Sequence, residues 1–195
     1  MSGSILDTAA DVASFLDEQG IPYAVIGGLA VQYWGEPRTT RDVDIVVLVA
    51  PDKIDSFLAA AVKRFKPRLQ DAIAFAQENR VLLISGEDET PVDIALGLPG
   101  YEEEVIRRAV TVALGGRQDI RLVSREDLII HKCIAGRPRD IEDIERVLVR
   151  QQLKVDVDYI RQWLRQFAEL MESNEVAAVF EDALERARDE ASQDT

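Results

Sequence analysis

The chain has 195 residues, is 47% hydrophobic and carries a formal net charge of −13, from 23 Lys and Arg against 36 Asp and Glu. That apolar share can fill a core and excludes disorder throughout, while the acidic balance excludes a protein that grips long duplex DNA by its phosphates, unless a local basic patch is present. With Cys133 the only cysteine and His131 the only histidine, an intrachain disulfide is excluded, and neither a cysteine-rich zinc site, a histidine-built metal site nor a Ser-His-Asp triad is expected.

In chain order, Ile5 to Gln19 predicts a helix, with Leu6, Val12, Phe15 and Leu16 as its apolar stripe and Gly20 at the usual stop. Tyr23 to Ile26 is a short buried strand, Gly27-Gly28 its exit, and Leu29 to Trp34 fits a helix beginning at the glycines and broken by Gly35 to Pro37. Asp42 to Val49 reads as a second strand, Ile54 to Arg64 as a helix, and Val81 to Ser85 and Val92 to Leu96 as two strands joined in a hairpin by the polar GEDET. Tyr101 to Arg108 is a helix or a loop flanking a strand, and Ile120 to Val123 is one more strand. Helices then follow over Ser124 to Ala135, Asp140 to Gln152, Asp156 to Leu170 and Glu175 to Ala187. Ser124 and Asp127 form a capping-box analogue, Gly136 and Pro138 stop that helix, Asp140 caps the next, and the closing DEASQDT is expected to be disordered. No apolar run approaches the ~20 residues of a membrane span, and MSGSILDTAADVASFLDE lacks the basic flank of a signal peptide, so the expectation is a cytoplasmic protein with no membrane partner.

The chemistry gathers around "DVDIVVLV". Along a strand, side chains two apart share a face, so Asp42 and Asp44 point one way, about 6.6 Å apart, while Val43 and Ile45 point to the core. Two such carboxylates repel unless a hard dication such as Mg²⁺ sits between them; the bland alternative is a polar strand edge or an Asp turned back to cap a loop. Gly27-Gly28 follows a buried strand and opens a helix, where free backbone N–H groups favour an anion and the missing Cβ lets a phosphate approach. Asp93, in PVDIAL, repeats the apolar-acid-apolar texture of Asp44. Three strand-borne carboxylates in one cleft could hold two divalent ions, the inventory of two-metal phosphoryl or nucleotidyl transfer.

"GGLAVQYWGEPRTTRDVDIVV" resembles the signature of the DNA polymerase β-like nucleotidyltransferase superfamily, and with "SREDLIIHKCIAGRPRDIEDI" it is similar to the AbiEii-type branch, the toxins of type IV toxin–antitoxin systems. The resemblance runs from Tyr23 to Ile144. Together with the element order read along the chain, it points to an α/β (α+β) fold with a small mixed sheet flanked by helices, the nucleotidyltransferase core at 1–123, followed by a carboxyl-terminal helical bundle at 124–190 and a disordered tail at 191–195; the helices beyond Arg150 are read from the chain alone. It further implies that Gly27 and Gly28 cradle an NTP triphosphate, that Asp42, Asp44 and Asp93 bind two Mg²⁺ ions, and that Asp93 helps deprotonate an acceptor hydroxyl. Lys132 matches the lysine of the later helical motif, and Arg137 with Asp140 its G-R-x-x-D turn. The segment Leu-Ala-Val-Gln after the glycines departs from versions bearing Ser or Thr, and the chain is short for the toxin branch.

In such an enzyme Arg38, Arg41 and Lys132 are candidate cations for the leaving pyrophosphate. Arg38 and Arg41 can equally be solvated loop charges, and Lys132 a snorkelling residue of a core helix. Trp34, Trp163 and Phe167 read as core residues, with Tyr33 or Trp34 able to contact a base; His131 reads as a packed helix residue. Arg137, Arg139, Arg146, Arg150, Arg161 and Arg165 could form the basic patch a tRNA or other RNA acceptor needs, although Glu142, Asp143 and Glu145 interleave with them. The expectation is therefore a toxin-like Mg²⁺-dependent nucleotidyltransferase with an RNA or protein acceptor and a cognate antitoxin as a partner. The alternatives are a transferase acting on a small hydroxylated antibiotic and a nucleotide-binding module that has lost catalysis.

Overall fold

The computed structural model describes residues 4–113 and 119–193. In order they form α1 (Ile5–Glu18), β1 (Tyr23–Ile26), α2 (Gly27–Trp34), β2 (Val43–Val47), α3 (Ile54–Arg64), β3 (Lys66–Pro67), α4 (Ala72–Asn79), β4 (Val81–Ser85), β5 (Pro91–Leu96), α5 (Tyr101–Arg108), β6 (Val110–Ala113), β7 (Asp119–Leu122), α6 (Arg125–Ala135), α7 (Pro138–Arg150), α8 (Val157–Met171) and α9 (Glu175–Gln193). The chain clusters into two compact units, one of Met1–Leu29 with Thr39–Val123, the other of Ala30–Arg38 with Ser124–Thr195. The mixed sheet and flanking helices match the α/β class expected of the sequence. Among the described residues no helix is long and apolar enough to cross a membrane.

The first unit is built on a seven-stranded sheet of order β3-β4-β5-β2-β1-β7-β6. β2 lies at its centre, antiparallel to β1 and parallel to β5, and β1 runs parallel to β7. Alternation along β2 decides what it shows to each side: Val43 and Ile45 are fully buried, whereas Asp44 is only half-buried and Asp42, just before the strand, is exposed. α1 opens on a capping box, with the Ser4 hydroxyl accepting from the Asp7 N–H and the Asp7 carboxylate from the Ser4 N–H. Its apolar stripe buries Phe15 against Phe57 of α3 and edge-on to Phe65 at 5.4 Å. β3, α4 and β6 were not expected: two are very short or weakly patterned, and α4 has no side-chain cap to announce it.

In the second unit, α6 to α9 bury Leu128, Ile129, Ile144, Leu148, Ile160, Leu164, Phe180 and Leu184. Ala30–Arg38, placed with the amino-terminal core on the sequence, cluster here because the end of α2 docks on α7: the Gln151 side-chain amide donates to the Trp34 carbonyl at 2.8 Å and the Arg150 guanidinium to that of Gly35 at 2.6 Å. The contact is close at Gly35, where a Cβ would stand 3.0 Å from Val147 Cγ2 and that side chain would have to give way slightly. The Ser124 cap is present, its hydroxyl accepting from the Asp127 N–H while donating to Asp127 Oδ2 at 2.6 Å.

Three expectations need correction. α6 stops at Gly136 as expected, but α7 begins at Pro138 and not at Asp140, which sits at the third position, where its carboxylate accepts from the Arg137 N–H, so that Asp140 completes the cap without being the capping residue. Trp34, Trp163 and Phe167 are half-buried, not core; Trp163 and Phe167 flank each other on α8 at 6.2 Å. α9 continues to Gln193 where a disordered tail was expected to begin at Asp189, because Ala- and Arg-rich residues sustain the helix and Ala187 is buried. The last two residues, 194–195, lie outside the described residues.

Candidate active site

The site in the sheet unit is set by register. Asp44 of β2 pairs directly with Asp93 of the parallel β5 and with Ile26 of the antiparallel β1. Neighbouring strands lie about 4.8 Å apart and paired residues share a face, so Asp44 and Asp93 stand side by side immediately next to the strand that ends at Gly27.

The two glycines are required by what lies against them. Gly27 has φ +63°, and a Cβ there would fall 2.0 Å from Asp44 Oδ2 and 2.9 Å from Asp44 Cβ. A Cβ on Gly28 would fall 2.2 Å from Thr40 Oγ1. The room left by the missing side chains is thus filled by an acid and a hydroxyl. Thr40 in turn donates to Asp42 Oδ1 at 2.9 Å. A hydroxyl thus lies next to Gly28 although the Leu-Ala-Val-Gln segment has none: it belongs to Thr40, twelve positions on, which no local motif announces.

The three carboxylates are turned to different partners: Asp42 to Thr40, Asp44 against Gly27, and Asp93 to the guanidinium of Arg68. Among the described residues no three His, Cys, Asp or Glu side chains form a group ready to hold a metal. The donor set nevertheless suits a hard dication, being all oxygen and having two of its members paired in register. Arg68 was not foreseen, because it follows a two-residue edge strand and meets an acid 25 positions away.

Of the cations named on the sequence, Arg41 is exposed beside Asp42 in the sheet unit. Arg38 and Lys132 are brought together in the helical unit. Arg38 makes two bonds to Asp143, at 2.8 and 2.9 Å, and Lys132 Nζ lies 2.6 Å from Asp140 and 2.8 Å from Asp143. Asp140 and Asp143 are buried, so these charges are compensated inside the fold. Arg137 is exposed and only 3.9 Å from Asp140.

His131 and Cys133 lie on α6 in the helical unit. Burial pushes the imidazole down to about 4, opposed by Asp127 and assisted by Lys132, so the ring is neutral at pH 7. Burial pushes the Cys133 thiol up to about 12, which removes it as a nucleophile at neutral pH.

Comparison with known proteins decides the family. Residues 5–177 match the family described as "Nucleotidyl transferase of unknown function (DUF2204)". The chain belongs to this family. It is thereby a nucleotidyltransferase, as the sequence resemblance implied, although the match does not extend to the AbiEii branch. No curated protein matches in sequence. An antigenic nucleotidyltransferase-like protein from Paracoccidioides brasiliensis shares the fold at TM-score 0.53 and 19% identity, over 91% of this chain and 92% of that one. The antibiotic-resistance factor ANT(2'')-Ia in solution does so at TM-score 0.60 and 17% identity, over 88% and 97%. Its crystal structure with adenylyl-2''-tobramycin gives 0.50 and 17%, over 89% and 94%. At these identities the likeness is one of fold.

Proposed function

We propose that this nucleotidyltransferase moves a nucleoside monophosphate from an NTP to the hydroxyl of a small, cationic acceptor, releasing pyrophosphate, with Asp42, Asp44 and Asp93 as the ligands of two Mg²⁺ ions. The observation that carries the reading is the pairing of Asp44 with Asp93 directly beside the Gly27 exit of β1. Bound there, Mg²⁺ would supply charge neutralisation for the triphosphate and acidify the acceptor hydroxyl. The protein's own residues do the rest. Gly27 and Gly28 present the first backbone N–H groups of α2 to an anion, and Thr40 holds Asp42. Asp93 takes the hydroxyl proton, and Arg41 is the cation for the pyrophosphate. Arg38 and Lys132 serve instead as compensating charges for Asp140 and Asp143.

The toxin-like reading, with an RNA or protein acceptor and an antitoxin, is the second one. Four of its six arginines are engaged within the fold: Arg161 is bidentate to Glu181, Arg146 lies between Glu36 and Glu190, Arg150 is bonded to the Gly35 carbonyl, and Arg165 to the Arg161 carbonyl. A chain of net charge −13 instead favours a cationic acceptor, as an aminoglycoside would be. An NTP substrate fits work in the cytoplasm. The test is transfer of each α-labelled NTP, with Mg²⁺, to aminoglycosides and lincosamides, to total RNA and to protein, beside Asp44→Asn. Label on a small molecule that vanishes in the variant is the expected result. Label on RNA or protein alone would establish the toxin-like reading, and metal-dependent binding without transfer to anything would make the chain a nucleotide-binding module.

A further inference from the structure

The antiparallel partner of Asp93 across β4 is Leu83, and the carbonyl of Leu83 accepts from the N–H of Arg68 at 3.0 Å, just past β3. Arg68, Leu83, Asp93 and Asp44 therefore lie in one row across the sheet, with Ile26 at its end. The arginine is two strands from Asp93, a span its long side chain covers over Leu83, and one guanidinium nitrogen, Nη2, bonds Asp93 Oδ1. With only that nitrogen on the carboxylate and side chains 29% and 39% exposed, the contact resembles weakly held surface pairs more than a buried structural clamp.

We propose that Arg68 is the resident counter-ion of Asp93 and competes with the divalent ion for that carboxylate. This rests on the reading of Asp93 as a metal ligand. One carboxylate lies between two claimants, a fixed monovalent cation and a mobile divalent one. While Arg68 holds Asp93 the site offers a free ion only two carboxylates; when the ion arrives with a triphosphate, the added negative charge gives the released guanidinium another anion to face. Arg68 thus lowers the affinity for metal alone and leaves that for the metal–nucleotide less affected.

The experiment is a Mn²⁺ titration followed by the electron paramagnetic resonance signal of the free ion, without nucleotide. It compares the wild-type protein with Arg68→Gln, Asp44→Asn, Asp93→Asn and the double variant Arg68→Gln/Asp93→Asn, each checked for folding by circular dichroism. Asp44→Asn should lose binding, and Arg68→Gln should bind roughly 3–10-fold more tightly than wild type, the range expected from a part-exposed ion pair and the repulsion of a neighbouring cation. In the double variant the gain should disappear, because it acts through Asp93. Should Arg68→Gln not fold, Arg68→Lys, which keeps the charge on a shorter reach, is expected to bind more tightly than wild type by a smaller factor. Unchanged or weaker binding by a folded Arg68 variant, with wild type binding and Asp44→Asn not, would overturn the competition and leave the metal reading standing. Binding by none of the proteins would overturn the metal reading and this inference with it.

Discussion

Replacing Gly27 by alanine tests the close approach on which the site is built. Two costs can be worked from the structure. At φ +63° an alanine occupies the left-handed region, at about 1–2 kcal/mol. Its Cβ also meets three atoms of Asp44: Oδ2 at 2.0 Å, Cγ at 2.8 Å and Cβ at 2.9 Å. Rotating the Asp44 side chain relieves the first two, but its Cβ is fixed by β2, so the strand must shift, and overpacking of this kind costs typically 1–3 kcal/mol. We expect a loss of about 2–5 kcal/mol in urea-monitored unfolding. The diagnostic measurement is the double-mutant cycle with Asp44→Gly, which removes all three obstructing atoms. The cost of Gly27→Ala should then fall to the backbone part, a coupling of about 1–3 kcal/mol. Strict additivity, or a loss below about 0.5 kcal/mol for Gly27→Ala alone, would refute the claim that Gly27 exists to admit Asp44.

Two further predictions concern the helical unit. Asp143→Ala leaves Arg38 and Lys132 short of the acid they share and should cost about 3 kcal/mol, read as a lowered urea midpoint with an unchanged slope. His131 has a folded pKa of about 4, below its ordinary 6.5. Its contribution is complete above pH 6.5 and is lost as pH falls toward 4, because the unfolded chain takes up a proton that the native one refuses. Between pH 7 and pH 5 that amounts to at most about 2 kcal/mol, and His131→Gln should remove this slope from a pH series of unfolding curves.

The elements that build the candidate site were legible because each is a short apolar run interrupted by a residue that does not belong in a core. Tyr23 to Ile26 ends at Gly27, and Val43-Asp44-Ile45 and Val92-Asp93-Ile94 alternate cleanly, so strand, exit and carboxylates could all be placed. Register could not. Nothing local says that Asp44 pairs with Asp93, because pairing is decided between strands nearly fifty residues apart. Arg68 and Thr40 were missed for the same reason: their partners are fixed by backbone geometry in three dimensions and by no spacing along the chain. In the helical half the caps were readable where Ser124 and Asp127 are three apart. The docking of Ala30–Arg38 on α7 was not, since it depends on side-chain bonds to carbonyls of the α2 terminus.

The alternation of β2 and β5 makes the site's alignment self-correcting during folding. A slip of one residue between them would bring Asp44 opposite Val92 or Ile94 and carry a carboxylate toward the face that Val43 and Ile45 seal, so the mispaired sheet would be rejected on burial alone. A slip of two would keep every apolar side chain inside and still separate the acids. Single-residue insertions in either strand should therefore abolish folding, whereas paired insertions would be the quiet route by which a descendant of this chain could keep its architecture and lose its chemistry.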